Sequence, residues 1–284
     1  MLENKGNILH THNGITHCHP IINDNCSNPI FQYLNKNENI VNSDEVILAK
    51  QEIIKFGKNE ETLMKLYKAL CLQLRYQEAI DCCKEMLSFN PTSYQIKRLL
   101  AIRYLTTFQN EKAYDLFLKL EKETTDYLDI YYRLGLCLFY MQKYDECIKY
   151  FIKGLEYSKD NQEMYIACLY WYLFALIELK QDITNVLNLF DKLNIIHHKG
   201  YQYAIELFLN KDIKQLDKKA KSDDLTRIMY LLGKYYYFIW KNELIKAMKI
   251  LNKAIKIKKY WASFSGLGFW NIYLKKCKEK KKLI

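Results

Sequence analysis

Proline and glycine are scarce in this chain, with three Pro and nine Gly in 284 residues, and beyond position 30 the one proline is Pro91. That scarcity excludes a turn-rich β fold and suits long, uninterrupted helices. Long apolar runs are missing as well. The two longest uncharged stretches, 164–177 and 260–274, would reach roughly 21 to 23 Å as helices, short of a ~30 Å hydrocarbon core. They read as buried core helices, and no membrane span is expected. The start, Met-Leu-Glu-Asn-Lys-Gly-Asn, has no apolar segment of signal-peptide type. No Gly-rich phosphate loop occurs, nor a strand to carry a nucleophile elbow, so an enzyme is not expected. The nine cysteines are odd in number and lack a disulfide spacing. They read as thiols of a reducing, cytoplasmic compartment, and Cys82-Cys83 falls at a core position rather than in a redox motif.

What is present is a repeat. Half the residues are apolar, enough for a sizeable core. At a shift of 34 residues, Ala79, Ala113 and Cys147 coincide, as do Cys83, Phe117 and Phe151. The same shift aligns Leu66, Leu100 and Leu134, then Tyr67, Ala101 and Gly135, then Leu70, Tyr104 and Leu138. Each unit reads as two antiparallel helices, with small residues at the crossing and bulky ones filling the gaps. Such a pair cannot bury its apolar face alone, so neighbouring pairs must supply the core.

With its period, its small positions and Pro91 closing the first clear unit, the sequence resembles the tetratricopeptide repeat family. The resemblance implies an all-α, right-handed α-solenoid of helix pairs. The match is regular over 60–158 and returns where Leu232-Gly233 precedes Ala247, Leu251 and Ala254. Phe264, Leu267 and Gly268 read as the start of a last capping helix. Between them, 160–222 is a divergent zone: helices over 162–179 and 183–193, a break at 194–200, then short helices at 203–209 and 213–219. Ser43 caps a helix from Asp44 to about Phe56. The helical domain is expected over 43–278, with a basic repeat at 225–278, a tail at 279–284 and a disordered arm at 1–42. His197-His198, beside Lys199-Gly200, read as a helix C-terminus.

The arm carries His10-Thr11-His12-Asn13-Gly14-Ile15-Thr16-His17-Cys18-His19. Asn-Gly between β-compatible residues signals a two-residue hairpin. Residue 12 would then pair with 15 and residue 10 with 17, placing His10, His12, His17 and His19 on one face. Four imidazoles suit Zn²⁺, Ni²⁺ or Cu²⁺, with Cys26 a further soft ligand. The stretch also resembles the short His-rich tails of some bacterial metal-sensing repressors and nickel-handling proteins.

Charge is concentrated at the other end. Residues 225–284 hold fifteen Lys/Arg against two Asp/Glu, a surplus of +13 inside a total of +11. Lys246, Lys249, Lys253 and Lys256 form one stripe opposite Ala247, Leu251 and Ala254, suited to an acidic partner. A single Arg in this region and the lack of an aromatic-interleaved RNA motif argue against nucleic acid.

In the resembling family, the first helix of each pair lines a concave, partner-binding face. Carried over, this puts Met64, Lys68, Gln95, Arg98, Ile102, Tyr132, Leu136 and Phe139 in the groove, with Arg98, Tyr132 and Phe139 as anchors. Met64 and Asp129 stand where some members place basic residues to clamp a terminal carboxylate, so that specificity is not expected. The leading reading is a non-enzymatic scaffold or adaptor holding a partner protein or peptide. A metal-responsive regulator or metal carrier using the His cluster is the alternative. A peptide-sensing helical-repeat receptor ranks last, since the polar arm is too short for that class's usual N-terminal module.

Overall fold

The computed structural model describes residues 8–12, 15–19, 40–190, 193, 195–257 and 263–281, in two compact units, Met1–Leu116 and Phe117–Ile284. The first unit opens with strands β1 (Ile8–His12) and β2 (Ile15–His19), paired antiparallel with Ile8 opposite His19, His10 opposite His17 and His12 opposite Ile15. This is the expected register, and it replaces part of the expected disordered arm with paired strands. The Asn13-Gly14 turn and Cys26 lie outside the described residues.

Helices follow at α1 (Asp44–Phe56), α2 (Glu60–Leu72), α3 (Tyr76–Phe89) and α4 (Tyr94–Thr106). Ser43 caps α1 by accepting from the Val46 amide, as its position before two acidic residues anticipates. Asn59 and Thr62 form a reciprocal capping box on α2. The chain entering α1 is pinned by the buried Gln73, whose amide donates to the Val41 carbonyl at 2.9 Å and whose Oε1 accepts from the Ser43 N–H. Leu63, Leu70, Ala79, Ile80, Cys83 and Met86 make the core of this unit, the repeat positions closing on one another. The boundary between the units falls within α5 (Asn110–Glu121).

A second periodicity appears in the backbone. Leu74, Phe108 and Gln142, 34 residues apart, all lie in the left-handed region at φ 56°, 60° and 63°. Each ends the first helix of a pair with the same bond, from the following amide to a carbonyl five residues back: Arg75 to Leu70, Gln109 to Tyr104 and Lys143 to Leu138, all 2.9 Å. Lys180 and Asn242 repeat the device later. Glycine is the usual residue at such a stop, so the bulky side chains here conceal it from a reading of sequence.

The second unit contains α6 (Tyr127–Tyr140), α7 (Tyr144–Tyr157), α8 (Gln162–Glu178), α9 (Thr184–Phe190), α10 (Lys199–Glu206), α11 (Ile213–Lys219), α12 (Asp224–Trp240), α13 (Leu244–Ala254) and α14 (Phe264–Lys281). A turn of 3₁₀ helix, Leu207–Leu209, extends α10. The described body is all-α and built of helix pairs. At the α6–α7 crossing, a Cβ on Gly135 would come within 2.5 Å of the Phe151 ring, which accounts for the small residue there. Residues 279–281, expected as tail, continue α14. His197-His198 lie at the start of α10, with His198 in the N-cap position, rather than at a helix C-terminus. The reason is Glu163 in the first turn of α8. Its carboxylate accepts from the amides of Ile196, His197 and His198 at 2.8–2.9 Å, and His198 Nδ1 stands 3.1 Å away. Burial pushes the Glu163 carboxyl up, but the His198 side chain and these three amides outweigh it and hold the group well below the ordinary carboxylate range.

Candidate partner-binding site

The two units treat their first helices differently. In the first unit, Met64, Lys68 and Cys71 follow one line on α2 at i, i+4 and i+7, with Lys68 exposed and the other two half-buried. The line ends on Arg103 of α4, whose guanidinium donates to Cys71 Sγ at 3.6 Å and lies 4.2 Å over the Tyr76 ring. Arg103 Nε is buried with no hydrogen-bond partner among the described residues, a position that usually costs free energy. Sequence reasoning missed Arg103. Its signal is a cation three residues before the end of a helix whose neighbours at that level are Cys, Tyr and Thr. On α4, exposed Gln95, half-buried Arg98 and buried Ile102 form a second line at i, i+3 and i+7. Ile47, Leu48 and Ile54 stand exposed on α1. Cys82 and Cys83 are buried, and burial pushes both thiols up to about 12, which makes neither a ready nucleophile.

In the second unit, α6, α8 and α12 are buried almost all round, as helices apolar on every face must be. Tyr132 and Phe139, expected as groove anchors, are 5% and 2% exposed. That expectation is corrected for both, as is the groove placement of the fully buried Leu136. Their cover is α14. The Phe264 ring meets Tyr132 edge-on at 5.9 Å and takes the Arg133 guanidinium at 5.5 Å. Tyr140 Oη donates to the Phe264 carbonyl at 2.7 Å, and Asn271 Nδ2 donates to the Tyr140 carbonyl at 3.2 Å. Ser265 lies 3.3 Å from Tyr170 Oη, and Trp171 Nε1 donates to Tyr132 Oη at 3.2 Å. Gly268 rides against Leu232 and the Trp171 ring, where a Cβ would come to 2.9 and 3.2 Å. Asp129, in a family clamp position, instead pairs with Arg133 at 2.9 Å.

The cationic stripe lies in the second unit, with Lys246, Lys249 and Lys253 on α13 and Lys256 just past its end. Lys246 pairs with Glu243. Among residues whose side chains are described, no group of His, Cys, Asp and Glu is placed to hold a metal ion. No described helix is long and apolar enough to cross a membrane.

Residues 128–161, which span α6 and α7, match the family model of the tetratricopeptide repeat. The chain is a tetratricopeptide-repeat protein. No curated protein matches it in sequence. Among solved structures it is similar to YrrB, described as a TPR protein with an unusual peptide-binding site, at 14% identity over 74% of this chain and 92% of that one, with a TM-score of 0.41. It is also similar to Naa15/Naa10 bound to HypK-THB, at 19% identity over 80% of this chain and 35% of that one, with a TM-score of 0.34.

Proposed function

We propose that the chain is a non-enzymatic protein-interaction module that holds a partner polypeptide against the first helices of its pairs in the first unit. The observation carrying this reading is the seat of α14 in the second unit. There, the faces of α6, α8 and α12 already receive a helix through aromatic edges, a small-residue contact and hydrogen bonds at its start. A helix laid in an aromatic groove is a standard recognition mode. In the first unit, the α2 line through Met64 and Lys68 and the α4 line through Gln95 and Arg98 reach the surface. Arg103 Nε there lacks a partner within the chain, so a partner carrying an apolar residue next to a carboxylate fits that surface. Peptides selected from a displayed library against the full chain are the test. Lys68→Glu with Arg98→Glu should weaken the selected binders at least tenfold, about 1.4 kcal/mol, while Lys246→Glu leaves them unchanged. Binders indifferent to the first pair would remove the reading.

A second reading, a metal carrier or metal-responsive regulator, draws support from the hairpin register. With His10 opposite His17 and partners alternating between faces, His12 and His19 share the face of that central pair. Cys18 pairs with Leu9 and falls on the other face, so the donor set is imidazole alone. Such a set suits Zn²⁺ or Ni²⁺. Titration of the full chain with each ion should give binding that the double change Thr11→His/His12→Thr weakens at least tenfold, because composition is kept while one imidazole changes face. Equal affinity in the two proteins sinks the idea.

A further inference from the structure

Four cations converge on one cleft of the second unit without a counter-charge. Arg227 comes from the first turns of α12, Lys249 and Lys253 from α13, and Lys256 from just beyond it, with Asn252 and Ile257 completing the lining of an open cleft of about 450 Å³. None of the four makes an ion pair among the described residues, although nearby cations do. Lys234 is held by Asp217 at 2.6 Å, and Lys246 by Glu243. The arrangement is not what helix stability favours. Lys249 and Lys253 are four apart and Lys253 and Lys256 three apart, spacings at which like charges repel. α13 contains no acidic residue at all, whereas α2 sets Lys65 against Glu61 and Glu52.

The neighbouring surface narrows the ligand. Ile245 is 75% exposed and shares a helix face with Lys249, Asn252 and Lys256, at i+4, i+7 and i+11. Leu244 and Trp240 are also exposed at that end. At 1.5 Å per residue, the positive charges begin about 6 Å from Ile245 and end about 16 Å away. An extended partner rises about 3.3 Å per residue, so it would match this surface with an apolar side chain followed by acidic ones roughly two to five residues later.

We infer that this cleft is a docking site for an acidic segment of a partner polypeptide, anchored by an apolar residue over Ile245 and by carboxylates or phosphoryl groups among Arg227, Lys249, Lys253 and Lys256. It goes beyond the surface proposed above and lies wholly in the second unit, so the variants that test one leave the other intact. Concavity favours a polypeptide over a flat lipid surface. A single Arg and no aromatic stacking platform among the lining residues disfavour a nucleic acid.

The test measures binding of the full chain to a labelled peptide with a Leu-Leu pair followed by three Glu. A phosphoserine version, a Lys-for-Glu version, a single-stranded oligonucleotide and phosphatidylserine vesicles are run beside it. The Glu peptide should bind, the phosphoserine version at least as tightly and the Lys version not at all. Affinity should fall at least tenfold between roughly 0.05 M and 0.5 M salt as screening shortens. Lys249→Glu/Lys253→Glu should weaken binding at least tenfold, and Ile245→Ser several-fold, with circular dichroism unchanged. Because both lysines are exposed, the double variant should fold. Failure of the Glu peptides to bind, equal binding of the Lys peptide, or tighter capture of the oligonucleotide or vesicles that the same variant abolishes would overturn the assignment.

Discussion

Removing α14 by ending the chain at residue 262 is expected to lower the stability of the second unit by roughly 3 to 6 kcal/mol and to shift Trp171 emission to the red. Leu267, Phe269 and Ile272 are buried to 0%, 3% and 8%, and at about 2 kcal/mol each their transfer from water contributes about 6 kcal/mol. Ordering of the helix offsets part of that. The loss is not confined to α14. Tyr132 and Phe139 lose their cover, and Trp171, which meets Phe139 edge-on at 5.0 Å and Tyr140 at 5.8 Å, becomes accessible. A synthetic peptide of residues 263–281 added in trans should restore both the urea midpoint and the blue emission. The same peptide with Gly268→Leu should not, because even a Cβ at that position presses on Leu232 and the Trp171 ring. A truncated chain with unchanged midpoint and emission would show that α14 is a passive extension, and would remove the observation on which the helix-in-groove reading rests.

How far the sequence foretold this depends on which physical signal each feature leaves. Packing between helices of a pair leaves a size pattern. Gly135 against Phe151 and the Ala79/Ala113 positions were therefore legible at a period of 34 residues, as were the start of α1 at its Ser43 cap and the exact span of α11. The hairpin register followed from Asn13-Gly14 and strand alternation. Which face of a first helix remains open leaves no such signal. Tyr132 and Phe139 have the composition of an aromatic groove, and the same composition serves equally to receive α14 from 124 or more residues away. Glu163 and His198 failed for the same reason. Their contact joins residues 35 apart in a zone where the repeat phase is lost, and a His-His pair near a glycine looks alike at either end of a helix. Arg103 and Arg227 escaped notice because each acts through a neighbour on another helix.

The sharpest test of the packing itself is Gly233→Ala. Gly233 on α12 faces Ala204 on α10. A Cβ added there would lie 2.3 Å from the Ala204 Cβ and 2.9 Å from its Cα, so the obstacle is backbone rather than a yielding side-chain tip. Glycine inside a helix is ordinarily destabilising, and alanine would gain up to ~1 kcal/mol if the space were open. Overpacking of this kind costs up to about 3 kcal/mol, since α10 and α12 must separate, and the net expectation is a loss of about 2 to 3 kcal/mol in urea unfolding. The compensating change is Ala204→Gly, which removes the opposing Cβ. It should destabilise the parent by about 1 kcal/mol through its helix preference, yet restore most of the loss when combined with Gly233→Ala. The two changes should therefore be non-additive by at least 1 kcal/mol, as contacting residues are. Additive losses would mean that α10 and α12 do not cross at this pair. The Leu232-Gly233 signature, the one place where the repeat pattern resurfaces after the divergent zone, would then mark something other than a helix crossing.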